Sequence, residues 1–399
     1  MHKLIKAILP VLLPALLHAQ APGFMTGDFE TVKARAIKEN KLVFVDMMFE
    51  GCMPCKQMEV KVFPDPSVKP YLDEHFISYQ SDIYKERTGK LLARKFGVTG
   101  APHYLIFNAR GVLVDAGSGF MGATHFLPWL QASVAAAKAG NVKKYRPGLE
   151  GAYPAFYSDF YLEKPRFAGA DTVAAYLDTQ QNLATEENYA IMNVYLSRLP
   201  EKYKEFYYQH MEQFARDYGR KSTSIAAYRM LSARAGAYGE KKEKAAFEQM
   251  MQYVQPLYSA KDWKTFGKII ATRYFEKSED VGGYIRFAGA FEGYSLADKA
   301  MLAAELAPKV EGQALLLQQM DSWLAGIDAA ADYQQAGLWY VKAVLQYYLG
   351  NKAEATNALA KVNTSGQYAR NVAALKDALQ HNTAFSPGKV FITQPLMAD

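Results

Sequence analysis

The feature that most limits the fold is a change of texture near residue 141. Over residues 24–140, short apolar runs alternate with segments of helical periodicity; from 153 to about 382, helical periodicity is nearly all that remains. A strand shows a period of two or a short continuous apolar run, and a helix shows a period near 3.6. A chain that mixes both patterns in one stretch and keeps one in the next reads as two domains of different class. The sequence therefore predicts an α/β domain over 24–140, a linker over 141–152, an all-α domain over 153–382 and a tail over 383–399. The linker, "NVKKYRPGLEGA", is marked by charges, Pro147 and two glycines.

Inside the first domain, "DFETVKARAIKEN" puts Phe29, Val32, Ala36 and Ile37 on one helical face behind Asp28 as a cap. "KLVFVDM" reads as a buried strand, "SVKPYLDEHF" as a short helix and "FISYQSDI" as a second strand. "GKLLARKFGV" is helical up to Gly97, "HYLIFNARGVLVDAG" is a hairpin turning at Asn108–Gly111, and "THFLPWLQASVAAAKAG" closes the domain as a helix. Strand–helix alternation ending in a hairpin predicts an α/β sandwich around a mixed sheet.

The first residues belong to neither domain. Lys3 and Lys6 precede an apolar run at 7–17, and Ala19, Gln20 and Ala21 come after it. That order predicts a signal peptide over 1–19, cut near Ala19 or Ala21, and an exported, periplasmic or extracytoplasmic protein. The run is shorter than the roughly 20 residues a bilayer span needs. Without residues 1–19 the formal charge falls from +6 to +4 (44 basic against 40 acidic residues). A charge so modest and dispersed argues against a nucleic-acid partner.

The chain has two cysteines, Cys52 and Cys55, in "FVDMMFEGCMPCKQMEVKVF". Such a pair can be a redox couple, half of a metal site or a staple. A redox dithiol needs an exposed thiolate of lowered pKa and a second thiol near enough to resolve the mixed disulfide. Cys-x-x-Cys at a helix start meets both needs, with the first sulfur over unpaired N–H groups and the second one turn in. A helix is expected from the cysteines to Pro64, with Cys52 as nucleophile, Cys55 as resolving thiol and Pro54 at a first-turn position that loses no hydrogen bond.

Residues 24–140 resemble a thioredoxin-fold domain, and more closely the exported thioredoxin-like proteins whose motif reads C-x-x-C-K-x-M-E-x-x-x-F. Cys52, Cys55, Lys56, Met58, Glu59 and Phe63 match it one for one. The resemblance implies that Asp46, six residues before Cys52, is a buried acid that takes the Cys55 proton during resolution. It also implies that Pro102 in "GVTGAPHYLIF" is a cis-proline beside the disulfide, with the Ala101 backbone pairing with an extended substrate segment. Gly51 stands where thioredoxins usually have Trp and should open the approach to Cys52; Met53 replaces the common Gly or His. His103 comes after the proline where Thr is common, either close to the pair or simply half-exposed on a strand.

A metal site is disfavoured, because zinc wants three or four protein ligands and the histidines lack paired spacing. A purely structural bridge closing so short a loop stabilises little, and it would leave Asp46, Pro54 and Pro102 as coincidences. Glu50 and Glu59 read as a solvated helix face. No glycine-rich phosphate loop comes after a strand, and no flavin or nicotinamide site is apparent, so the disulfide itself is the expected redox group.

In the helical part, "WYVKAVLQYYLGNKAEATNAL" places Trp339, Ala343, Gly350, Ala355 and Leu359 at the spacing of a tetratricopeptide helix pair, with Lys342 at a usually apolar position. "KDWKTFGKIIATRYF" is a degenerate relative, and an irregular bundle without true repeats is the alternative. Most of the 27 tyrosines lie here, as core and rim or as the lining of a peptide groove. The expected function is an exported thiol–disulfide oxidoreductase acting on protein thiols and disulfides. Electrons would come from a membrane thiol donor if the role is reductive, and the helical domain would select or hold clients, or dock a redox partner. The competing expectation is a binding or scaffold module whose thioredoxin-like platform turns over little. The tail from Phe385 to Asp399 is expected to be ordered only if it docks on a neighbour.

Overall fold

The computed structural model describes residues 23–163, 166–362 and 368–393. The expected signal peptide, with both cleavage positions, lies outside the described residues, as do the last six residues. The described residues form two compact units. One comprises 23–93, 100–142 and 146–149, and the other 94–99, 143–145 and 150–393. Among the described residues no helix is long and apolar enough to cross a membrane.

The first unit is built on a four-stranded mixed sheet in the order β2-β1-β3-β4. Its elements are α1 (Phe29–Glu39), β1 (Leu42–Met48), α2 (Met53–Gln57), α3 (Lys69–His75), β2 (Phe76–Asp82), α4 (Arg87–Phe96, whose last three residues count with the second unit), β3 (His103–Phe107), β4 (Leu113–Ser118) and α5 (Ala123–Lys138). β1 runs parallel to β2 and antiparallel to β3, and β3 and β4 form the expected hairpin. Its turn is closed by Gly111 N–H to Asn108 O at 2.9 Å, with Gly111 at φ +77°. Asp28 caps α1, its carboxylate accepting from Thr31 N–H at 3.0 Å.

Alternation along β1 sorts its side chains onto two faces. Phe44 and Asp46 face one way. Phe44 packs there in a cluster with Met58, Phe63, Tyr104, Phe126 and Leu130, which joins the sheet to the cysteine helix and α5. On the opposite face Phe29 of α1 meets Tyr79 and Phe107 at ring separations of 5.6 and 5.5 Å. Apolar side chains thus cover both faces of the sheet, and Asp46 lies buried on the face that Phe44 shares with Met58 and Phe63.

The second unit is helical. Its longest helices, Arg220–Glu240 and Ala260–Ser278, approach closely because Gly239 has no side chain: a Cβ there would lie 2.4 Å from Tyr274 O. Helices Asp332–Tyr348 and Lys352–Ala360 form a hairpin over the stretch where the sequence places one. Ala343, Ala355 and Leu359 are buried there, and Gly350 makes the turn at φ +78°. Lys342, at its unusual position, pairs with Asp321 at 2.7 Å. The unit buries an ion pair, Lys95 Nζ to Glu186 Oε1 at 2.9 Å, with both side chains under 5% exposed. Over Thr383–Thr393 the tail lies on helices of its own unit.

Candidate functional site

β1 ends at Met48 and the chain turns through Gly51 into α2. Gly51 sits at φ +86°, a left-handed conformation that favours glycine. A Cβ there would meet nothing within 4 Å, so the residue is set by backbone geometry rather than crowding. Cys52 is the N-cap of α2, its sulfur accepting from Cys55 N–H at 3.3 Å, and Pro54 stands in the first turn as expected. Cys52 and Cys55 are joined as a disulfide, with Cα atoms 5.3 Å apart.

Cys52 is less open than the sequence suggests. It is 5% exposed against 2% for Cys55, because its sulfur turns inward to the cap and the disulfide; the exposed neighbour is Met53, at 67%. Access runs through a cleft of about 560 Å³ lined by both cysteines, Gly51, Met53, Phe49 and Glu50, among others. Glu59, Asp82 and Glu86 add acid to its wall, with Lys56 and Lys85 as counter-charges. Lys56 pairs with Glu59 at 3.0 Å and Lys85 pairs with Glu50. Asp82 accepts from Tyr84 N–H and Lys85 N–H at 2.8 and 2.9 Å, which fixes the loop after β2.

The expected single helix from the cysteines to Pro64 is two pieces. After Gln57 the backbone widens into a π-turn over Met58–Val62, closed by Phe63 N–H to Met58 O at 2.9 Å. The extra residue in that turn rotates the side chains beyond Gln57 away from their α-helical positions. Glu59 is therefore buried rather than solvated, which overturns the surface reading given to it; Glu50 remains exposed.

In the wall of the same cleft, Gln80 of β2 stands opposite Asp46 in the parallel register. Its Nε2 donates to Asp46 Oδ2 at 2.9 Å and to Glu59 Oε1 at 3.3 Å, so one neutral amide bridges two carboxylates. Asp46 Oδ1 accepts no hydrogen bond among the described residues. Burial pushes the Asp46 carboxyl up to about 7, the Gln80 hydrogen bond opposes that rise, and the Glu59 charge adds to it. Tyr104, opposite Asp46 on β3, has its phenol held well above its ordinary range by burial and then by the Asp46 charge. A carboxylate poised near neutrality can take or return a proton at working pH.

The Ala101–Pro102 peptide bond is cis, Pro102 is buried, and its carbonyl accepts from Gly119 N–H at 2.9 Å. His103 opens β3 opposite Met47, half-buried. Neither Ala101, Pro102 nor His103 lines the 560 Å³ cleft, which Gly51 and Met53 do line. The residue that sequence reasoning missed is Gln80. Its strand is legible, but pairing with Asp46 depends on a register between strands 34 positions apart. Among the described residues no group of three His, Cys, Asp or Glu side chains could hold a metal ion.

Residues 29–133 match the thioredoxin-like domain family and form such a domain. The chain is similar to thiol:disulfide interchange proteins DsbD. The Yersinia pestis protein is 30% identical over 113 residues, covering 28% of this chain and 19% of the relative. That of Pasteurella multocida is 28% identical over 94 residues, covering 23% and 16%. The chain thus spans less than a fifth of the length of these relatives. Among solved structures, a Thermus thermophilus thioredoxin aligns at 24% identity with a TM-score of 0.26, over 30% of this chain and 93% of its own. The reduced C-terminal domain of Neisseria meningitidis DsbD aligns at 25% identity with a TM-score of 0.25, over 27% and 99%.

Proposed function

We propose that this chain is an exported thiol–disulfide oxidoreductase acting on protein disulfides through Cys52 and Cys55. The observation that carries the reading is a Cys-x-x-Cys disulfide at a helix start, in a cleft it shares with Gln80, whose amide donates to the buried Asp46 carboxyl of raised pKa. The similarity to thiol:disulfide interchange proteins supports the same chemistry.

In the reductive direction, the Cys52 thiolate attacks one sulfur of a client disulfide, forming a mixed disulfide and releasing the other client sulfur as a thiolate. Cys55 then attacks the Cys52 sulfur and passes its proton to Asp46. The Cys52–Cys55 bond forms, the mixed disulfide breaks and the second client sulfur leaves. Two electrons have moved from the dithiol to the client, and a membrane thiol donor would return them. Gly51 and Met53 form the approach at the cleft, the Ala101–Pro102 backbone receives the client strand, and His103 borders it. The helical unit, a tetratricopeptide-like array of helix pairs, holds clients.

The test is trapping. With Cys55→Ala the mixed disulfide cannot be resolved, so Cys52-linked adducts with extracytoplasmic proteins should accumulate and disappear on adding dithiothreitol. If none forms under mild oxidation, the chain is a binding module and the redox reading fails. A reduction potential near about −270 mV would assign a reductant, and one near about −120 mV an oxidant.

A further inference from the structure

Residues 383–393 run extended along the helix Asp332–Tyr348, in the opposite direction. Tyr347 and Tyr348, at the end of that helix, donate their hydroxyls to Thr383 O at 2.8 Å and Phe385 O at 2.5 Å. Gln334, near its start, donates to Thr393 O at 3.1 Å, and Tyr368 donates to Phe391 O at 2.5 Å. The helix rises about 20 Å between these anchor points. Four side chains thus grip main-chain carbonyls, which every peptide offers whatever its sequence.

Selectivity falls to two side chains. Val390 and Ile392 are buried, while Phe391 between them is 59% exposed, the alternation of an extended chain on a surface. The seat for Ile392 is built by a missing side chain. A Cβ on Gly337 would lie 2.8 Å from Ile392 Cγ1 and 2.6 Å from the Tyr368 hydroxyl. Ile392 N–H also donates to Met301 Sδ at 3.5 Å. Residues 386–391 leave the groove part-filled: beside them lies a cavity of about 940 Å³. Thr272, Tyr284 and Tyr294 line it, their hydroxyls joined by hydrogen bonds of 3.0–3.4 Å.

We infer that this groove binds extended peptide segments carrying aliphatic side chains at alternate positions, and that residues 383–393 occupy it as an internal ligand that a client segment displaces. The inference deepens the client-holding role proposed for the helical unit and needs no thiol.

The probe is a fluorescent peptide of residues 383–393, measured against the full chain and against the full chain carrying Val390→Glu and Ile392→Glu, whose own tail cannot seat. The peptide should bind the variant saturably and the wild type about tenfold or more weakly, because an occupied site lowers apparent affinity. The same peptide with both aliphatics changed to Glu should bind neither. Equal binding to both proteins, or none to a variant that keeps its wild-type circular dichroism, overturns the inference. If the variant does not fold, the wild type decides. Excess peptide carrying Lys389→Gln should speed tryptic cleavage after Lys389 of the chain as the tail is displaced, and no change at millimolar peptide overturns the inference. Cysteine-free peptide binding and Cys52 trapping are separate readouts, so either reading can fail without the other.

Discussion

Asp46 and Lys95 are both charged residues shut away from solvent, one in each unit, and their surroundings differ. Lys95 meets Glu186 at 2.9 Å, both side chains under 5% exposed, so the helical unit neutralises the charge it buries. Asp46 has a neutral amide on one oxygen, no hydrogen-bond partner among the described residues on the other, and a second carboxylate across that amide. The cation nearest this arrangement in the hydrogen-bond chain, Lys56, pairs with Glu59. A matched buried pair cancels its own charge, whereas an acid held neutral by burial costs stability once pH would ionise it. Such an arrangement persists where a proton has to be moved.

Breaking the matched pair should have the largest effect. Lys95→Met removes the cation 2.9 Å from the buried Glu186 carboxylate and should destabilise the helical unit by up to about 3–5 kcal/mol, read by urea unfolding. The double variant Lys95→Met with Glu186→Leu should recover most of that loss, since apolar replacement of a buried pair is often neutral. A double variant as unstable as the single one would show that the pair does more than cancel charge.

Asp46→Asn should act with the opposite sign. The folded carboxyl has a pKa of about 7 against an ordinary 3.8, so between those values the folded state holds a proton that the unfolded chain has released. Wild-type stability therefore falls as pH rises from about 4 to 7, by up to about 4 kcal/mol at 1.36 kcal/mol per pH unit. The variant should be more stable than wild type by that order at pH 8, with the gain shrinking below about 1 kcal/mol at pH 4. Its resolution step should slow as well, visible as longer-lived mixed disulfides. Equal stabilisation at both pH values would remove ionisation as the cause.

The smallest effect sharpens the comparison. Gln80→Leu deletes the hydrogen bond that restrains the rise at Asp46, so the carboxyl should titrate higher by about one pH unit, read by carbon-13 NMR of the carboxylate. A downward move would mean that Gln80 matters chiefly by holding Glu59 in place.

Much of this arrangement can be read along the chain. The strand "KLVFVDM", the hairpin at Asn108–Gly111 and the Asp28 cap come from local pattern and turn chemistry, and each is found. The hairpin around Gly350 is likewise local, because small residues and a left-handed turn identify it within some twenty residues. The burial of Glu59 and the inward turn of the Cys52 sulfur are not legible in the sequence for a shared reason: one π-turn and one closed disulfide change which way a side chain points, and neither leaves a periodic trace.

What the sequence determined by itself is the division into an α/β part and a helical part, the elements within the first, and the cysteine pair at a helix start. These rest on residues close together in the chain, where periodicity and caps act. The tertiary structure decided the rest: Gln80 opposite Asp46, Glu59 turned inward, Lys95 matched to Glu186, and the tail laid along its helix at Gly337. Those depend on register and close approach between segments far apart in sequence. Burial there sets the charge state and position of a side chain, and burial exists only once the units have packed.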